Sequence, residues 1–183
     1  MITKNKYDVS WNSFLSGDEQ AFADLYEMLV RDLYSFGTTQ TADTELIKDC
    51  IQDVFVKLYC HRDELGAVTN IKLYILIALK NALKDAFRKN QTHQKYIDSY
   101  EVAEETEDSV EDKIIAEETD AAVKNMVEKF KLVLTERQRE IIHLRFVEEL
   151  TIEEISKMLN INYQSVANSI QKSLQKIRKL YNF

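Results

Sequence analysis

The sequence predicts an all-α protein built as two small helical domains joined by an acidic linker, and three observations carry that expectation. Helix breakers are almost absent: 183 residues hold no proline and three glycines, Gly17, Gly37 and Gly66. Apolar residues return at helical spacing through most of the chain. Charge is unevenly divided: Tyr100 to Asp120 carries ten acidic residues against the single base Lys113, a net of −9 that, set against −7 for the whole chain, leaves +2 on the rest. These features place a first domain at residues 1–96, a linker at 97–112 and a second domain at 113–183.

The first helix signal is Gly17-Asp18, with Asp18 as N-cap, followed by Phe22, Leu25, Tyr26, Leu29, Leu33 and Phe36 on one face. Trp11, Phe14 and Leu15 precede it and belong to the same bundle. Ile47, Cys50, Ile51, Val54 and Leu58 form the next stripe, which turns Lys48, Asp49, Gln52, Asp53 and Lys57 away from the core. A third helix spans about residues 70–90 and buries Leu76, Leu79, Leu83 and Phe87. Its other side aligns Lys80, Asn81, Lys84 and Arg88 in a polar, basic stripe. From Ile97 to Asp112 periodicity fades as charge rises, which reads as an exposed tether, and helical pattern resumes near Ile114 with Val123, Met126, Val127 and Phe130.

The C-terminal third carries the most specific pattern. Thr135-Glu136-Arg137-Gln138 and Thr151-Ile152-Glu153-Glu154 both have capping-box form, marking two helix starts. The helix opened by the second box has the apolar face Ile152, Ile155 and Leu159 and stops at Asn160-Ile161-Asn162, where asparagine tolerates a left-handed turn and Ile161 plugs the angle. The following helix buries Val166, Ile170, Leu174 and Ile177 and turns Gln164, Ser165, Ala167, Asn168, Gln171 and Lys172 outward. This is a helix-turn-helix whose second helix offers amides, a hydroxyl and an ammonium to base edges, with Lys176, Arg178 and Lys179 beyond it for phosphate. No carboxylate follows Glu154. An ordinary helical hairpin with a solvated polar face is the alternative reading of the spacing alone.

Several classes are set aside on the same evidence. The longest apolar run, Leu73 to Leu79, falls far short of the roughly 20 residues that cross a bilayer, and the N-terminal segment lacks a secretory pattern, so no membrane insertion and a cytoplasmic location are expected. Cys50, Cys60, His61, His93 and His143 show no paired ligand spacing. No metal or cofactor is expected, and both thiols are read as reduced core residues. No phosphate-cradling glycine loop, nucleophile elbow or HExxH pair occurs, so the chain is expected not to be an enzyme.

Together these segments resemble the extracytoplasmic function (ECF) type of sigma factor, in the form common in Bacteroides-like bacteria. Leu134 to Lys179 is similar to the family's region four. Ser16 to Tyr26, Ile47 to Tyr59 and Asn70 to Lys89 are similar to its region two, in the same order. The resemblance implies a protein that binds core RNA polymerase and directs it to promoters, with promoter DNA and, in the family, an anti-sigma factor as further partners. It implies that Asp49, Gln52, Asp53 and Phe55 form an outward patch for the β′ clamp helices, while region four meets the β flap. It assigns the minus-ten element to Asn70, Lys72, Lys80, Asn81, Lys84 and Arg88, and the minus-thirty-five element to Gln164, Ser165, Asn168, Gln171, Lys172, Lys176 and Arg178. Ala167 and Ser169 stand where the family often carries a base, so this reading helix is less cationic than many. Glu101 to Asp112 would thread the polymerase's RNA-exit path, or serve only as a solubilising tether. The rival function is a stand-alone helix-turn-helix regulator acting as a dimer without polymerase. With a net charge of −7, the free protein is expected to hold duplex DNA weakly.

Overall fold

A computed structural model describes residues 7–66, 68–97 and 132–181, and every regular element among them is helical. The acidic run from Glu101 to Asp112 and the helical pattern expected between Ile114 and Phe130 lie outside the described residues. The first domain comprises α1 (Asp8–Leu15), α2 (Glu19–Gln40), α3 (Thr44–Cys60), a 3₁₀ turn (Arg62–Glu64) and α4 (Ile71–Ile97). The second comprises α5 (Glu136–Phe146), α6 (Ile152–Leu159) and α7 (Tyr163–Tyr181).

Local chemistry sets the boundaries. Gly17, at φ +100°, turns the chain between α1 and α2 in a conformation that a side chain would strain. Asp18 then caps α2 by accepting from the backbone N–H groups of Gln20 at 2.9 Å and Ala21 at 3.2 Å. Asp43 caps α3 in the same way through Leu46 at 3.0 Å. Helix α2 runs through the middle of the first domain, packed by α1, α3 and α4. Its stripe of Leu25, Leu29, Leu33 and Phe36 is buried together with Trp11 and Phe14 of α1 and the whole expected α3 stripe. Tyr26 departs from the expected stripe and is 41 % exposed, because it lies on the stripe's edge. The α2–α3 crossing is tight at Gly37, where a Cβ would stand 2.5 Å from Ile47 Cγ2.

The two domains are packed on each other: α5 lies against α2 and α6 against α4. Their buried side chains form one continuous apolar cluster that runs from Tyr7 to Val166. Where the charge pattern suggests two bodies on a tether, the fold buries part of each against the other.

Candidate nucleic-acid interface

The helix-turn-helix is assembled by the expected devices. Thr135 Oγ1 accepts from Gln138 N at 3.3 Å while Gln138 Oε1 accepts from Thr135 N at 3.2 Å. Thr151 and Glu154 form the second reciprocal pair at 3.2 and 2.8 Å. Asn160 adopts φ 50°, ψ 49°, the left-handed cap that ends α6. Ile161 then donates its N–H back to Ser156 O at 3.0 Å, and Asn162 Oδ1 accepts from Ser165 N at 2.7 Å to start α7. Val166 is fully buried, and Ser173, which the apolar pattern skips, is buried too because its hydroxyl is satisfied by Ser169 O at 2.7 Å.

Gln164, Ser165, Asn168, Gln171 and Lys172 are all exposed on α7. Gln164 Nε2 donates to Asn168 Oδ1 at 3.0 Å, so two amides already share one orientation on the reading face. Such amides suit the paired acceptor and donor of adenine in the major groove. Arg178 and Lys179 are exposed further along the helix. Lys176 does not join them. Its ammonium donates to Val133 O at 3.1 Å and Gln138 Oε1 at 2.9 Å, tying α7 to the start of α5 instead of facing phosphate.

On α4, Asn81, Lys84 and Arg88 are exposed as the stripe requires. The other three expected minus-ten residues face the second domain. Asn70 Oδ1 caps α4 by accepting from Leu73 N at 3.0 Å, and its amide donates to Glu154 Oε1 at 2.6 Å. Lys72 Nζ sits 2.7 Å from Asp32 Oδ2 and 2.8 Å from Glu148 Oε2. Lys80 pairs with Glu140 Oε1, whose other oxygen is held by Arg137 at 2.7 Å. Burial alone pulls the Lys72 ammonium's pKa down, but the two carboxylates outweigh it and the net shift is upward from 10.5.

Asp49, Gln52 and Asp53 are exposed on α3 as expected. Phe55 is not: it is 4 % exposed, with its ring 4.9 Å from that of Tyr26 and 5.8 Å from that of Phe22. It falls one residue past Val54 and completes the buried side of α3. Val56 and Tyr59 are exposed at 52 % and 44 % on this helix, and with Tyr26 they give the patch an apolar flank that a simple stripe count misses. Cys50 is buried as read, whereas Cys60, at the last turn of α3, is exposed. Burial, then Asp53 and Asp49, raise the Cys50 thiol's pKa from its ordinary 9.0. Among the described residues no cluster of side chains is arranged to hold a metal ion.

With this geometry in place, comparison with known proteins is specific. The family description "Sigma-70 region 2" matches residues 25–93, and "Sigma-70, region 4" matches residues 132–179. The chain is similar to the ECF RNA polymerase sigma factor SigM of Bacillus subtilis, 23% identical over 160 residues, covering 87% of this chain and 94% of that one. It is similar also to SigX of the same organism, 25% identical over 164 residues, covering 88% and 84%. Among solved structures, the sigma factor RpoE of Bartonella quintana, crystallised with the anti-sigma factor NepR, shares the fold at a TM-score of 0.61 and 16% identity, over 88% of this chain and 96% of that one. CnrH in complex with the cytosolic domain of CnrY does so at 0.62 and 16%, over 95% and 96%.

Proposed function

We propose, from the premise that this chain belongs to the ECF group of the sigma-70 family, a division of labour among its surfaces. As a sigma factor it binds core RNA polymerase and directs promoter-specific transcription initiation. In the proposed division, the first domain, ending near residue 96, meets the β′ clamp helices through Asp49, Gln52 and Asp53 of α3, flanked by Val56 and Tyr59. The α4 stripe and its preceding loop take the minus-ten element. The second domain, beginning near residue 113, reads the minus-thirty-five element with Gln164, Ser165, Asn168, Gln171 and Lys172, while Arg178 meets phosphate. The chain acts without catalysis of its own, in the cytoplasm where polymerase works; no described helix is long and apolar enough to cross a membrane. An anti-sigma protein is a further partner on this reading, as NepR is for its structural neighbour.

The observation that carries the proposal is the exposed, acid-free face of α7 held at a fixed angle by the Thr151 box and the left-handed Asn160. A stand-alone dimeric regulator is not favoured, because both sigma regions occur in order along one chain. Run-off transcription with core polymerase tests the assignment. Asn168→Ala should reduce discrimination between an intact and a scrambled upstream element by about 1–3 kcal/mol, or roughly tenfold, without changing core affinity. Asp49→Ala/Asp53→Ala should weaken core binding and leave that discrimination intact. Unchanged discrimination in the first variant and unchanged core binding in the second would contradict the division of labour.

A further inference from the structure

Gln164 and Asn168 stand about one helical turn apart on the exposed face of α7 and are joined by a directed bond, in which Gln164 Nε2 donates to Asn168 Oδ1 at 3.0 Å. The two ends of an asparagine amide are alike in shape and opposite in chemistry, so the end that meets a base edge decides what is recognised. Here Asn168 Oδ1 is engaged along the helix, which leaves its NH2 as the donor and Gln164 Oε1 as an acceptor. The place of Gln164 in the first turn of α7 favours that polarity. The positive end of the helix attracts its amide oxygen, and its NH2 is left to reach toward the C-terminal side, where Asn168 stands. Two further observations leave the bond uncontested. Asn162 Oδ1, the nearest capping oxygen, is already occupied by Ser165 N at 2.7 Å. No carboxylate on α7 draws the Gln164 NH2 elsewhere.

We propose that Gln164, beyond any base contact of its own, is a positioning residue. Its bond to Asn168 Oδ1 turns the Asn168 NH2 toward the major groove and so sets which orientation of a G·C pair is accepted at the base pair that Asn168 meets. This rests on the reading of α7 as the helix that enters the upstream element. Guanine offers only acceptors, N7 and O6, at the major-groove edge, whereas cytosine offers only its N4 amino group. A donor held against that edge therefore favours guanine and opposes cytosine. Adenine N7 and thymine O4 also accept, so the polarity of the amide is read most cleanly as guanine against cytosine. An asparagine free to turn would suit either base, which is why the bond, and not the residue type alone, carries the discrimination.

The test uses holoenzyme reconstituted from core RNA polymerase and the full chain, on promoters randomised through the upstream element, with the transcribed fraction sequenced. Asn168→Ala locates the base pair in question, as the position whose preference it relaxes. At that position Gln164→Ala should shrink the preference between G·C and C·G by about fivefold or more, because the amide is released. Gln164→Glu should reverse the preference: a carboxylate only accepts, so it takes the Asn168 NH2 and turns Oδ1 to the groove. A carboxylate is favoured in the first turn of a helix, so this variant folds, and its added charge weakens all templates alike. Damage to the fold would likewise lower every template together and cannot invert a preference. A wild type indifferent between G·C and C·G at that position, an unchanged preference in either Gln164 variant, or a Gln164→Glu variant that is relaxed without reversal would overturn the proposal and leave α7 as the reader. No position relaxed by Asn168→Ala would instead refute the reading of α7 on which the proposal rests.

Discussion

At the scale of single residues, burial separates groups that sequence spacing cannot. Phe55 and Asp53 lie two positions apart on α3, yet Phe55 belongs to an aromatic cluster with Phe22 and Tyr26 while Asp53 faces solvent. Phe55→Ala should therefore destabilise the fold by about 3–5 kcal/mol in chemical denaturation, whereas Asp53→Ala should leave the denaturation midpoint close to wild type. The cysteines divide the same way. With Cys50 buried and its thiol pKa raised, and Cys60 exposed, iodoacetamide near neutral pH should add one label per native chain, at Cys60, and two after unfolding. Rapid double labelling of the native protein would contradict that assignment.

At the scale of elements, most of the fold was legible in the sequence because it is written in local chemistry. The caps at Asp18, Thr135 and Thr151, the left-handed Asn160 and the apolar stripes of α2 and α3 all depend on neighbours within about one helical turn. Two element-level consequences follow. Asn160→Val, which forces a β-branched residue into a left-handed turn, should cost about 1–2 kcal/mol, and Asn160→Gly should not, as read by thermal melting. Gly37→Ala should cost about 1–3 kcal/mol because the added methyl meets Ile47 across the α2–α3 crossing. The exposure of the proposed site residues was legible where they sit on a solvent face, as on α7 and the distal half of α4. They were illegible where a long polar side chain finds a distant partner: nothing near Lys176 announces Val133 O, and nothing near Lys72 announces Glu148.

At the scale of the whole molecule, the decisive interactions are the ones no local pattern contains. Three carboxylates bridge the domains, and two of them, Glu140 and Glu148, are buried charges that a hydropathy reading would place on the surface. Lys72 gives this interface a defined pH response. Because its folded pKa is raised above the ordinary 10.5, its contribution is fully present below that value and is lost as pH climbs through the folded pKa. The stability difference between wild type and Lys72→Met should accordingly be constant across neutral pH and shrink only above about pH 10.5. A difference that collapses below about pH 9 would contradict Lys72 as the group that controls this contact.

The central claim, that this chain directs core RNA polymerase to promoters through separate surfaces on its two domains, is tested most directly by run-off transcription with core polymerase on templates carrying an intact or a scrambled upstream element. The account predicts initiation only when the protein is added, stronger on the intact template, and an Asn168→Ala variant that loses this preference while still binding core. No initiation with the wild-type protein, or an undiminished preference in the Asn168→Ala variant, would contradict it.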